Sequence, residues 1–131
     1  MQEYVKAFSS IFTVSSQNGT PITPFGTGGT IIFTPLSVNS TVTIEVILKA
    51  YTTSTNASAG LYVNGLNFDN TAIPQGAGNV PTTVTLCYSY NPNSLNPLSI
   101  VVQIASGNNA TPISVNPFNP QTSMVKIRET I

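Results

Sequence analysis

The sequence predicts an all-β fold: a single-domain antiparallel β-sandwich of jelly-roll type over residues 1–131, with about eight or nine short strands. Three observations lead there. Several segments alternate apolar and polar residues with period two, as half-buried strands do. No window repeats apolar residues at i, i+3, i+4 and i+7, and strong helix formers are sparse. Turn-forming residues recur at short intervals, and all ten prolines sit in or beside them or at strand edges, where a missing N–H costs little.

The first strand is expected at about Tyr4 to Val14. A turn-rich stretch from Ser15 to Gly29 follows, yet it holds Ile22 and Phe25, which a solvated linker does not need. Thr30 to Val38 reads as a weak strand. Thr41 to Tyr51 is the clearest: Val42, Ile44, Val46, Leu48 and Ala50 fall on one face, Thr41, Thr43, Glu45 and Lys49 on the other, with Ile47 the exception. Gly60 to Val63 and Leu66 to Asp69 flank Asn64-Gly65, a pair suited to the two positive-φ positions of a type I′ turn, so a tight hairpin is predicted. Thr82 to Tyr90 sets Val84, Leu86, Tyr88 and Tyr90 against Thr83, Thr85, Cys87 and Ser89. Leu98 to Ala105 sets Leu98, Ile100, Val102 and Ile104 against a partly apolar face. Thr111 to Val115 and Ser123 to Glu129 complete the strands; the intervals between, including Asn70 to Pro81 and Asn116 to Thr122, read as turns.

Eight residues are charged: Glu3, Lys6, Glu45, Lys49, Asp69, Lys126, Arg128 and Glu129. That is 6%, against about 25% in an ordinary domain. Histidine and tryptophan are absent and there is one cysteine. General acid–base chemistry, metal ligation and nucleophile activation draw on the missing types, so no enzymatic activity, metal or cofactor is expected. The carboxylates stand far apart in sequence, and no acid pair is visible. Four cations in a neutral chain cannot neutralise many phosphates, so no nucleic-acid partner is expected. The glycines of FGTGGT lack the following helix and the lysine of a phosphate loop. Four N-x-Ser/Thr acceptors, at Asn18, Asn39, Asn56 and Asn109, are no more than the abundance of these residues produces by chance.

The longest apolar stretches fall short of the roughly 20 residues of a spanning helix, so no transmembrane segment is expected. The N-terminus has a Glu beside its Lys and no uninterrupted apolar run, unlike a secretory signal. Cys87 reads as a small packed thiol; an intermolecular disulfide or a reactive thiol is the alternative, and the latter needs a cationic neighbour. Five charges lie near the termini, where Glu3 could pair with Lys126, or Lys6 with Glu129, across a ladder.

Two features speak for contact with other molecules. Aromatic residues near strand ends or in loops, Tyr62, Phe68, Tyr88, Tyr90 and Phe118 among them, form a candidate interaction surface; the plainer alternative is that they close the ends of the core. Long stretches without charge leave a neutral surface that favours self-association, so a homo-oligomer is expected. With few carboxylates and no histidine, stability should change little between pH 7 and about pH 3. Acid tolerance and exposure outside the cell without a secretion signal point to a virion, assembled in its host and extracellular after release.

In GTPITPFGTGGTIIFTP, STVTIEVILKAYTT and NATPISVNPFNPQT the chain resembles, in style and without a diagnostic motif, small all-β structural proteins of archaeal viruses, the tail and vertex proteins of spindle-shaped or turreted particles. The resemblance implies a tail ring, nozzle, spike or capsid subunit packing against other virion proteins. The LYVNG hairpin also occurs in lectin-like jelly rolls, which keeps a receptor- or glycan-binding module as the alternative. An extracellular filament subunit is a third.

Overall fold

The computed structural model describes residues 2–76, 80–118 and 121–131. Residues 77–79 and 119–120, within two of the expected turns, lie outside them. The strands are β1 (Glu3–Phe8), β2 (Phe12–Val14), β3 (Thr20–Pro21), β4 (Thr30–Phe33), β5 (Thr41–Thr52), β6 (Ser58–Val63), β7 (Leu66–Ala72), β8 (Thr82–Tyr90), β9 (Leu98–Ala105), β10 (Ile113–Val115) and β11 (Ser123–Thr130). All pairings are antiparallel and form two sheets. In the first, β5 is flanked on one side by β8 and on the other by β11 and β10, with β1 and β2 beyond. In the second, β9 lies between β6 and the short strands β3 and β4, and β7 edges β6. Setting aside the short β2, β3 and β10, successive strands distribute over the two sheets as in a jelly roll.

β5 supplies the centre. Val42, Ile44, Val46, Leu48 and Ala50 are each 0% exposed. They join one continuous core with Leu61 of β6, Leu86 of β8, Ile100 and Ile104 of β9, and Ile127 of β11. Each such Val, Leu or Ile side chain contributes about 1.5–3 kcal/mol by burial. Ile22 and Phe25 are also fully buried, although they lie in the turn-rich stretch. Phe25 stands edge-on to Phe8, ring centroids 5.0 Å apart, beside β1.

The expected first strand is broken in two, and Asn116 shows why. Its side-chain amide donates to the carbonyls of Phe8 and Ser10, at 2.9 and 3.3 Å, on either side of Ser9 where β1 ends. Its own carbonyl oxygen accepts from Ser123 Oγ at 2.7 Å, and that hydroxyl accepts from the Lys49 amide. Asn116 has φ 54°, a left-handed conformation that asparagine tolerates. This buried network replaces ladder bonds where both β1/β2 and β10/β11 change over beside β5.

β4 stops at Phe33 rather than Val38 because Pro35 has no amide to donate. The following amides turn to Glu129 instead. Glu129 is 2% exposed, on the core side of β11. Its carboxylate accepts from the Leu36 and Ser37 amides at 2.7 and 3.2 Å, from Gln2 Nε2 at 2.9 Å, and from the Ser40 hydroxyl. Burial pushes this carboxyl up, but the four hydrogen bonds outweigh it and hold the group below the ordinary carboxylate range. Lys6 faces Val125 in the ladder, so the expected Lys6–Glu129 pair does not form. Lys126 Nζ does approach Glu3 Oε2, at 3.8 Å, as a diagonal pair, since the register sets Glu3 opposite Arg128. Both side chains are substantially exposed, so the pair is worth about 0–1 kcal/mol.

Cys87 is exposed, which corrects the expectation of a packed thiol. The strict alternation of β8 groups it with Thr83 and Thr85 on the solvent face while Val84 and Leu86 turn inward, and small size does not override that parity. Its amide donates to Asp69 Oδ2 at 2.9 Å, across the gap between the edges of the two sheets.

Replacing Glu129 by Gln should lower stability at pH 7 by about 3 kcal/mol, since donors are then buried against an amide. Because the folded pKa is depressed, the contribution is whole above the ordinary carboxylate range and is lost as pH falls through the folded pKa. Urea unfolding of both proteins across pH should therefore show a gap that closes only in strong acid; a gap that is absent at pH 7 contradicts this account.

Candidate interaction surface

Three of the five aromatic residues singled out in the sequence meet at one corner. Phe68 lies on β7 and Tyr88 and Tyr90 on β8, the strands that edge the two sheets on the same side of the sandwich. The Phe68 ring centroid is 4.8 Å from Tyr88 and 4.9 Å from Tyr90, and the two tyrosines are 5.8 Å apart. Offset and edge-to-face contacts of this kind add about 0.5–1.5 kcal/mol beyond burial. Phe68 and Tyr90 pack partly against the core, whereas Tyr88 is 40% exposed. The cluster thus both closes the side of the sandwich and presents an aromatic face. Burial, with a smaller contribution from Tyr88, pushes the Tyr90 phenol above its ordinary value.

Beside this cluster runs a groove of about 290 Å³, lined by the apolar Val63, Leu66, Phe68, Tyr90, Pro92 and Leu98 together with Asn64, Ser94 and Asn96. Leu66 at the hairpin tip is 65% exposed, and Leu95, in the loop after β8, 52%. The expected Asn64-Gly65 turn is formed, with φ of 51° and 82°. It is pinned to β9 by reciprocal bonds: Asn64 N–H donates to the Ser99 carbonyl and Asn64 Oδ1 accepts from the Ser99 amide, both at 2.9 Å. The loop after β8 is held by Asn91 Oδ1, which accepts from the Asn93 amide at 2.7 Å. The apolar corner therefore rests on fixed backbone.

The other two residues lie elsewhere. Phe118 meets Tyr51 at 6.2 Å. Tyr62 is on the opposite face of β6 from Val63, beside a second depression. Sequence patterning assigns Tyr88 and Tyr90 a common face, but pairing them with Phe68 depends on which strands become sheet edges.

The charges are distributed unevenly. Glu45 and Lys49 on β5, Lys126 and Arg128 on β11, and Glu3 on β1 occupy the outer face of the first sheet. Glu129 is buried and Asp69 bridges to Cys87. The outer face of the second sheet carries none of the eight charged residues; it shows Tyr62, Ser99, Val101, Gln103 and Ile32 instead. Among the described residues, no three metal-ligating side chains gather. No helix among the described residues is long and apolar enough to cross a membrane.

No protein-family model matches the chain, and no curated protein matches it in sequence. A solved structure does: the crystal structure of the infectious bursal disease virus VP2 subviral particle, with a TM-score of 0.52 and 13% identity. The match covers 99% of this chain and 38% of the VP2 chain, so this chain spans well under half of that protein's length. At this identity the likeness is one of fold. It places the sandwich beside a viral all-β protein and does not bear on archaeal tail and vertex proteins.

Phe68→Ala should lower stability by about 2–3 kcal/mol, because a partly buried ring leaves the core edge open. Tyr88→Ser should cost less than about 1 kcal/mol. Equal losses for the two in urea unfolding would show that Tyr88 serves the core and not the surface.

Proposed function

We propose that the chain is a non-enzymatic structural subunit of a viral particle, a tail ring or nozzle, spike or capsid component, acting through homo- and hetero-oligomeric packing with other virion proteins. The observation that carries this is the apolar corner: a tyrosine, a hairpin leucine and a groove held on rigid backbone at the edge of a charge-poor sandwich. Exposed aromatic side chains in a surface poor in charge are the usual centre of a protein–protein contact. Leu66 lines the groove and Tyr88 stacks on its Phe68, so the corner is one continuous patch through which copies pack against each other or against another virion protein. A jelly-roll likeness to a subviral-particle protein supports a virion setting, and the resemblance in sequence style supports an archaeal virus. On this reading the protein is assembled in its host and carried outside in the released particle.

The purified chain at neutral pH and moderate salt should form discrete rings or clusters, seen by light scattering and negative-stain imaging. The double substitution Leu66→Lys, Tyr88→Lys should leave the circular dichroism spectrum unchanged and yield monomers. Wild-type protein that stays monomeric when concentrated overturns the proposal, and so does assembly that survives the double substitution.

A further inference from the structure

The uncharged outer face of the second sheet holds a depression of about 240 Å³ that shares no lining residue with the apolar groove. Its floor is made by glycine. A Cβ added at Gly60 would stand 2.9 Å from Tyr62 Cε1 and 3.4 Å from Asn70 Oδ1, so the tyrosine ring lies against bare backbone and the amide beside it. Gly19 likewise leaves room for the Gln103 carboxamide. Glycine inside a strand marks close approach of another group, and here it lets an aromatic ring lie low beside an open floor.

The polar groups around this floor are neutral. Gln103 and Asn70 line it with side-chain carboxamides, neither of which has a hydrogen-bond partner among the described residues, while Ser58 adds a hydroxyl. A carboxamide offers a donor and an acceptor side by side, the pattern that vicinal hydroxyls return. The negative face of the Tyr62 ring attracts weakly positive C–H groups. The volume lies below the roughly 300–1,000 Å³ of drug-sized sites and suits about one sugar ring. No cation is present on this face to hold a carboxylate or sulfate.

From this arrangement we infer that the Tyr62–Gln103–Asn70 depression binds a neutral saccharide, stacking one pyranose face on Tyr62 and bonding its hydroxyls through the two carboxamides. The site is independent of the assembly proposed above, since that rests on the opposite parity of β6 and on the β7/β8 edge. Glycan recognition would add surface attachment to packing.

Saturation-transfer NMR with the methyl glycosides of galactose, glucose, mannose and N-acetylglucosamine, and with sialic acid as an anionic probe, tests this on the intact chain. Binding of at least one neutral glycoside, with a dissociation constant of about 1 mM, is expected. It should weaken roughly tenfold in Tyr62→Ala and in Gln103→Ala, the latter removing no packed ring and so controlling for folding. The proposal is overturned if no neutral glycoside binds, if sialic acid binds best, or if binding persists unchanged in Gln103→Ala. Assembly measured on the same variants should be unaltered, which separates failure of this site from failure of the packing role.

Discussion

β5 cannot slip by one residue without turning Val42, Ile44, Val46, Leu48 and Ala50 to solvent and Glu45 and Lys49 to the core. Because the same strand pairs with β8 on one flank and with β11 and β10 on the other, this register propagates to the whole first sheet. It decides that Val84 and Leu86 point inward and, two and four residues on, that Tyr88 and Tyr90 arrive together at the sheet's edge. It also brings Glu129 inward, where it gathers the amides that Pro35 leaves without a ladder.

The same parity sorts the charges. Five of the eight occupy one outer face, one is buried, one bridges the two sheet edges and Lys6 lies on the edge strand β1, so the second sheet's outer face is left to Tyr, Ser, Gln and aliphatic groups. Composition alone describes a neutral protein. The fold makes it a two-sided one, with a charged face, an uncharged face and an apolar corner between them.

How much could be read in the sequence varied with how local the cause was. β8 and β9 have the bounds that alternation predicts, Thr82 to Tyr90 and Leu98 to Ala105, because period two is written within each strand. The Asn64-Gly65 hairpin was equally legible, its positive φ angles being a property of two residues. The break between β1 and β2 was not, since it depends on Asn116, more than a hundred residues away in the chain. Nor was Glu129 as a buried hub, because a lone glutamate at a strand end looks like any solvated charge. Residue type points Cys87 inward, whereas the strand parity visible in the same sequence points it outward, and parity prevails. Of the five aromatic positions proposed, the fold brings three together; Tyr62 stands apart beside Gly60, whose place inside a strand was the available sign of a depression.

The bond from Asp69 to the Cys87 amide has a consequence for growth. β8 is an edge strand, and an exposed edge invites further strands to add without limit. A newcomer pairing at Cys87 must first displace a carboxylate that already holds the amide, and it brings no counter-charge by doing so. In a chain with so few charges, one placed at this point discourages fibre growth along the strand edge and leaves side-chain contacts, which can close on themselves, as the open route to association.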